Sequence, residues 1–383
     1  MENFMTKTIG RKIDFEYYSL DDKEKIDFFA SHGYLPNTTD PSEKFKPSKD
    51  LDFERFMYLP SKLRDVTGAS SKAFVRVKAD TIPDYDKLTT KSAYVTYLDG
   101  VKKQDRPKNI SCLLKRTFFP YSAFEEAASR SLNALDIPTV FNSLVADPFS
   151  GEPSTCLSVD CVKQNEQIYS LLDLTNYDCS ILEPLSYWHK ILDYALLRQQ
   201  AQQADGYDVA NKLDEKSVKA IKSALCEQYF AQLYLLNNLD YSAFNACIIC
   251  KTETQNGITT THSPRLGPAM DFESCASLLF DEAETSGNIE SVNIIDAQER
   301  FKSGLGENIR YFLSEYHTEA EKFLSCLKTC INENKLARLA PTGDDEVNLT
   351  LRQFYTLINN NCKELCASIE KEKALMELGI ENE

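Results

Sequence analysis

Two kinds of hydrophobic patterning divide the chain. From Ala73 onward, short apolar or alternating runs recur over Ala73–Val77, Ser92–Leu98, Ile110–Lys115 and Cys156–Val162, separated by turn residues such as Asp99-Gly100, and predict a mainly antiparallel sheet. One helix interrupts them. It starts at Ser122, carries Phe124, Ala128, Ser131, Leu132 and Leu135 at helical spacing, and ends before Pro138. Beyond about residue 165 the rhythm becomes helical: Val218, Ile221, Leu225, Tyr229, Leu233 and Leu236 recur every three or four positions and stop just before Asp240. Ala246–Lys251 and Ile258–Thr261 then flank Asn256-Gly257, a strong type I′ hairpin signal. Residues 308–332 and 349–373 are helical by pattern, each expected as one helix.

These elements predict three regions: an N-terminal extension over residues 1–55, a β-rich lobe with one helix over 56–164, and a mainly helical lobe over 165–383. Pro36 to Pro41 and the lysines from Lys44 to Lys49 make the first of these a connector in character. The expected class is α+β with two lobes. A length of 383 residues exceeds one ordinary core, and 21 Phe and 19 Tyr in a 42% apolar chain are enough to fill two.

Charge narrows the partners. A net charge of −15 argues against broad nucleic-acid binding or an anionic-membrane footprint, because phosphate recognition over a large surface needs excess Lys and Arg. The N-terminus lacks an apolar signal core, and no run approaches the about 18 apolar residues of a transmembrane helix. Twelve cysteines, many inside apolar runs, predict reduced, buried thiols and a cytoplasmic protein; export by a signal-independent route stays compatible with this. Cys247 and Cys250 lie three apart on an expected strand and so face opposite sides, while Cys326 and Cys330 share a helix face without a second pair or His motif, which argues against zinc.

The candidate chemistry lies between the long helix and the hairpin, and just after it. Asp240 is followed five positions later by Asn245, and a second Asp, Asp271, follows Leu266-Gly-Pro-Ala-Met270. Such an Asp, Asn and Asp set suits phosphoryl transfer from ATP: one carboxylate receives or orients the acceptor hydroxyl, and an amide and a carboxylate hold Mg²⁺. A phosphate-facing Lys is expected on a strand, oriented by a helix Glu. Lys115 ends an apolar strand run, and Glu125 shares a helix face with Ala128 and Leu132 whereas Glu126 falls with Arg130, so Glu125 is the expected partner. Thr67-Gly-Ala-Ser-Ser-Lys72 would cover phosphates with its amides and hydroxyls. It is not a Walker A loop, and no nucleophile elbow or His-Glu-x-x-His occurs.

In order and spacing, Thr67 to Ala73, Leu113 to Lys115 with Glu125 to Pro138, Leu235 to Asn245 and Leu266 to Phe272 resemble the HipA-like serine/threonine kinases over roughly residues 60–280. The resemblance implies a bilobal protein kinase-like fold, ATP and Mg²⁺ as cofactors, and a protein substrate, with autophosphorylation at Ser70 or Ser71 as one outcome. It implies Asp240 as catalytic aspartate, Asn245 and Asp271 on magnesium, and Gly68, Ser70, Ser71, Lys72, Lys115 and Glu125 around the nucleotide phosphates. The strand Cys156–Val162 would lead to an adenine hinge at Asp160 and Val162. Three departures stand out. Tyr241 and Ser242 occupy positions where the family places a basic residue and a histidine, the hairpin lengthens the spacing from Asn245 to Asp271, and residues 1–55 do not look like the family's antitoxin-engaging subdomain. The first departure admits a nucleotide-binding pseudokinase that serves as an interaction module, and substrate loops leave a small-molecule or lipid kinase open. Oligomeric state is not encoded in any motif.

Overall fold

The computed structural model describes residues 57–58, 72–78, 109–116, 121–145, 155–159, 161, 166–180, 183–205, 213–238, 240–255, 258–272, 275, 304–339 and 345–379. The expected strand over 92–98, the extension over 1–55, and Gly68, Ser70, Ser71, Asp160 and Val162 lie outside them. The described residues combine helices with two antiparallel sheets and fall into two compact units.

The first unit holds Val140–Cys161, Leu339–Phe354 and the chain up to Arg130. Its sheet has the order β1 (Met57–Tyr58), β2 (Lys72–Lys78), β3 (Asn109–Arg116), β5 (Thr155–Val159), β4 (Asn142–Val145), every neighbouring pair antiparallel. Three of these strands coincide with apolar runs read from the sequence. Cys112 of β3 is buried, as are the consecutive Cys156 and Leu157 of β5, which alternation points to opposite faces of the sheet, and helix α1 (Tyr121–Ala134) contributes buried Phe124, Ala127 and Ala128. Phe124 stacks on Phe354, with centroids 5.0 Å apart.

In the second unit, β6 (Glu166–Ser170), β7 (Cys247–Gln255) and β8 (Ile258–Leu266) form an antiparallel sheet. The sequence signalled the last two as a hairpin. Helix α2 (Leu171–Thr175) follows β6 directly through a capping box in which Ser170 Oγ accepts from the Asp173 amide and Asp173 accepts from the Ser170 amide. Helices α3 (Leu185–Ala204) and α4 (Glu215–Phe230) come next, with Asp214 capping α4 through the Ser217 amide. Val218, Ile221, Leu225 and Tyr229 of α4 are all buried, as their spacing predicts. An aromatic core forms around them: Phe230 stacks on Phe312 at 5.1 Å, and Trp188 meets Tyr229 edge-on at 6.0 Å.

The single helix expected over 308–332 is two, α5 (Leu305–Glu315) and α6 (His317–Asn332), broken at Tyr316, whose φ of −134° and ψ of 48° are not helical. A tertiary contact sits at the break. The Tyr316 ring packs edge-on against buried His189 at 5.0 Å, a contact with no trace in the local periodicity. Helix α7 (Asp345–Glu377) extends the expected 349–373 segment at both ends. No helix among the described residues is long and apolar enough to cross a membrane.

Gly267 connects β8 to the segment carrying Asp271. Its amide donates to the Cys247 carbonyl at 2.7 Å and its carbonyl accepts from Gln228 Nε2 at 2.8 Å. A Cβ here would lie 2.5 Å from Cys247 Sγ and 3.2 Å from the Cys247 carbonyl oxygen, so a methyl has no room. Gly267→Ala is expected to cost about 1–3 kcal/mol through overpacking, read as a lowered urea midpoint at unchanged slope.

Candidate functional site

The residues proposed for chemistry sit in the second unit, where α4 runs into a wide turn of π-helix, Ala231–Leu235. Wider turns leave carbonyls without their usual helical donors, and the Leu235 carbonyl accepts from Asn361 Nδ2 of α7 at 2.8 Å. Asn237 then takes a left-handed φ of 51°, which turns the chain toward Asn238. Asn238 is fully buried. Its Nδ2 donates to Gln232 Oε1 at 3.0 Å and to the Asp271 carbonyl at 2.9 Å, and its Oδ1 accepts from the Asp240 amide at 3.3 Å. One side chain therefore ties the Asp240 segment to the Asp271 segment.

Asp240 is exposed and Asn245 half-buried. They meet: Asn245 Nδ2 donates to Asp240 Oδ2 at 3.0 Å and to the Asp240 carbonyl at 2.6 Å. With its amide nitrogen committed to Asp240, Asn245 has Oδ1 as the end suited to a cation. The loop between them is pinned from beneath. The Ala243 amide donates to the Cys179 carbonyl at 2.8 Å and the Ala243 carbonyl accepts from the Leu172 amide at 3.0 Å. Tyr241 is 1% exposed, stacks on Trp188 at 5.1 Å with planes 9° apart, and donates its hydroxyl to Gln228 Oε1 at 3.2 Å. Burial pushes its phenol well above the usual tyrosine range, so the ring is a neutral anchor. The departure seen in the sequence at Tyr241 is thus a packing residue of the loop.

Asp271 follows the Ala269 amide's bond to the Pro138 carbonyl at 2.9 Å and has a left-handed φ of 62°. For a non-glycine residue this conformation costs about 1–2 kcal/mol, although Asp tolerates it better than most. Two left-handed residues, Asn237 and Asp271, thus flank the buried Asn238 junction. Strain of this kind concentrates at functional sites.

His189 is not a rival base. Burial, followed by the nearby Lys222 charge, drives its imidazole down to about 3, and its Nδ1 lies 2.9 Å from the Tyr311 hydroxyl in the core. Cys247 and Cys250 are both buried on β7, and burial raises Cys250 to about 11. Among the described residues no three His, Cys, Asp or Glu side chains gather as a metal cluster, so a cation at the Asp240 loop would take few protein ligands, with the Asn245 amide oxygen and the Asp271 carboxylate as the candidates. That donor set is hard, oxygen-only and sparse, which fits Mg²⁺ with phosphate and water completing its shell.

The first unit carries the other charged pair picked out from sequence. Lys115 Nζ lies 2.7 Å from Glu125 Oε1, with side chains 7% and 3% exposed. Glu125 Oε2 accepts from Asn142 Nδ2 at 2.9 Å, and Asn142 Oδ1 accepts from Ser158 Oγ at 2.6 Å. Antiparallel register places Lys115 between Lys72 and Cys156 on adjacent strands. Burial, followed by the Glu125 charge, keeps the Cys156 thiol protonated. Glu126 pairs with Arg130 at 2.9 Å as its helical spacing implied, yet it is buried too, because its carboxylate accepts the Leu144 amide of β4 at 2.7 Å.

The residues that sequence reasoning missed are amides: Asn238, Gln232, Asn361 and Asn142. Asn237-Asn238 is visible in the sequence only as a turn signal. Asn238→Ala removes the acceptor of the Asp240 amide and a donor to the Asp271 carbonyl, and is expected to cost about 1–3 kcal/mol. Hydrogen exchange of both loops is expected to quicken in this variant, while unchanged exchange at 240 and 271 would show that the junction is not held by this side chain.

No family model matches the chain, and no curated protein matches it. Among solved structures, the chain is similar to the crystal structure of a Helicobacter pylori proinflammatory kinase, CtkA, at 12% identity and a TM-score of 0.40, over 70% of this chain and 92% of that one.

Proposed function

We propose that the chain is a Mg-ATP-dependent phosphotransferase acting on an alcohol group, with a protein serine or threonine as the favoured acceptor and self-modification included. The supporting observation is the hydrogen-bonded junction in which Asn245 meets Asp240 and Asn238 joins the Asp240 amide to the Asp271 carbonyl. When bound, Mg-ATP supplies the transferable phosphoryl group together with the positive charge that offsets its oxygens. Asp240, exposed and held on a pinned loop with its Oδ2 accepting from Asn245 Nδ2, orients the acceptor hydroxyl and receives its proton. Asn245 Oδ1 and the Asp271 carboxylate are the residues that would hold the cation. Catalysis of this kind rests on positioning and charge, with no covalent enzyme intermediate.

Lys115 and Glu125 support the same reading from the first unit. A buried ion pair seldom stabilises a fold more than apolar residues of similar size would, so its presence favours a role for the ammonium beyond packing. In this proposal Lys115 is the phosphate-directed cation and Glu125 its orienting partner. Gly68, Ser70, Ser71 and Lys72 would cover the phosphates, and Asp160 and Val162 would meet the base. The HipA-like resemblance of the motifs adds the serine/threonine preference, and the reduced thiols suit a cytoplasmic setting.

The test is transfer from γ-labelled ATP with Mg²⁺ to the protein itself and to a protein mixture. Transfer that requires the metal supports the proposal. Thermal stabilisation by Mg-ATP without transfer favours the interaction-module alternative, for which the absence of a basic residue at Tyr241 and Ser242 is the motivating observation.

A further inference from the structure

Two glutamines one turn apart in the second unit take no part in the chemistry assigned above. Gln228 lies in the last turn of α4 and Gln232 in the π turn that follows, and they are 3% and 0% exposed. Each uses both ends of its amide, and in the same sense. Gln228 Oε1 accepts from the Tyr241 hydroxyl at 3.2 Å while its Nε2 donates to the Gly267 carbonyl at 2.8 Å. Gln232 Oε1 accepts from Asn238 Nδ2 at 3.0 Å while its Nε2 donates to the Met270 carbonyl at 3.4 Å. The acceptor ends thus face the stretch 238–241 around Asp240, and the donor ends face the stretch 267–270 that leads to Asp271.

Packing by itself does not account for amides at these positions. Gln228 and Gln232 continue the buried stripe of Val218, Ile221 and Leu225 at helical spacing, where apolar side chains would fill the same face. A buried amide costs free energy unless its donor and acceptor are both satisfied, so its place there follows from the groups it joins. The opposite side of the 267–271 stretch is held by the Ala269 amide, which donates to the Pro138 carbonyl at 2.9 Å, and by Thr139 Oγ1, which donates to the Ala269 carbonyl at 3.3 Å. Side chains of the helix end and of Asn238 take the Gly267, Met270 and Asp271 carbonyls. The amides are also neutral, so they join the two segments without competing for a cation between them as a carboxylate would, or repelling it as an ammonium would.

We propose that Gln228 and Gln232 are positioning residues: from one helix face they fix the separation and orientation of the Asp240 loop and the Asp271 segment. The consequence for phosphate transfer rests on the phosphotransferase reading, whereas the hold on the two segments does not. Gln228 acts through the Tyr241 hydroxyl and the Gly267 carbonyl, and Gln232 through Asn238 and the Met270 carbonyl.

Gln228→Met and Gln232→Met, made in the full chain, keep an unbranched side chain and remove the amide. Gln199→Met is the matched control. Gln199 of α3 is 5% exposed and also uses both amide ends, accepting from the Leu213 amide at 2.7 Å and donating to the Leu213 carbonyl at 2.8 Å. Hydrogen exchange over 240–245 and 267–271 is expected to quicken several-fold in the first two variants and to stay at the wild-type rate in Gln199→Met, whose change is confined to the neighbourhood of Leu213. In transfer from γ-labelled ATP with Mg²⁺, kcat is expected to fall about 10–10²-fold in the first two variants with KM for the protein acceptor unchanged, because the reacting groups are misplaced and no acceptor contact is lost. Gln199→Met, at matched folded fraction, is expected to transfer as wild type does.

Unaltered exchange over both stretches in folded Gln228→Met and Gln232→Met overturns the proposal. So does quickened exchange with full transfer, or an equal loss of transfer in Gln199→Met. Where Gln228→Met does not fold, Tyr241→Phe reads the same link, since it keeps the ring against Trp188 and removes only the hydroxyl that donates to Gln228. Quickened exchange over 240–245 in that variant supports the proposal, and unaltered exchange overturns it. In a wild type that transfers no phosphate the phosphotransferase reading fails by itself, and the exchange comparison with Gln199→Met alone upholds or overturns the hold of the two glutamines.

Discussion

Asp240→Asn is expected to lower phosphate transfer by about 10²–10⁴-fold, the range typical for removing a positioned base. The substitution keeps the shape of the side chain and an oxygen able to accept from Asn245 Nδ2, which now donates to Oδ2 at 3.0 Å. It removes only the charge and the proton acceptor. Asp240 is exposed, so folding stability should change by no more than about 0.5 kcal/mol. Asp271→Asn is the matched control at the other end of the Asn238 junction: Asn tolerates the left-handed backbone at φ 62° as Asp does, so the loop persists while the carboxylate is lost. Loss of transfer in both variants, at unchanged urea midpoint, supports the roles assigned. Equal transfer in wild type and both variants sinks them.

Lys115→Ala is the second large effect, and it is one of stability. The substitution leaves the Glu125 carboxylate, 2% exposed, without the ammonium 2.7 Å away. Breaking a buried pair from one side costs about 3–5 kcal/mol, whereas replacing both members by apolar residues of similar volume is often neutral. Lys115→Met with Glu125→Met is therefore expected to recover most of the loss in urea unfolding. Asn142 qualifies the recovery, since its Nδ2 donates to Glu125 Oε2 at 2.9 Å and would keep only the longer bond to the Glu125 carbonyl, 3.3 Å, in the double variant, a loss of about 0.5–1.5 kcal/mol. A single variant no less stable than wild type would show that the pair contributes nothing to the fold. Transfer separates the two roles: the double variant is expected to fold and yet to transfer phosphate poorly, because the phosphate-directed charge is gone.

Much of the local structure was legible in the chain. β2, β3 and β5 follow apolar runs, α1 begins one residue before Ser122 and ends at Ala134, ahead of Pro138, and the Asn256-Gly257 signal lies between β7 and β8. Helical spacing also separated Glu125 from Glu126 and gave the Glu126–Arg130 pair. It could not show that both glutamates are buried, because the second face of α1 is covered by β4, whose Leu144 amide needs an acceptor. Tyr316 is the complementary case. Its helical pattern is intact on both sides, and at the break its ring meets the buried His189 ring, a contact between residues distant in the chain.

Periodicity and residue spacing, then, determined which segments would be strands and helices and which side chains had the right functional groups, since those properties depend on neighbours within a turn or two. The tertiary structure alone decided that Asn245 bonds Asp240, that Asn238 and not a charged residue joins the Asp271 segment to them, and that Tyr241 is an anchor. The physical reason is that an amide or a thiol carries no periodic hydrophobic signal. Its role is set by which buried donor or acceptor the fold leaves within about 3 Å, and that partner is chosen by packing between residues distant in the chain.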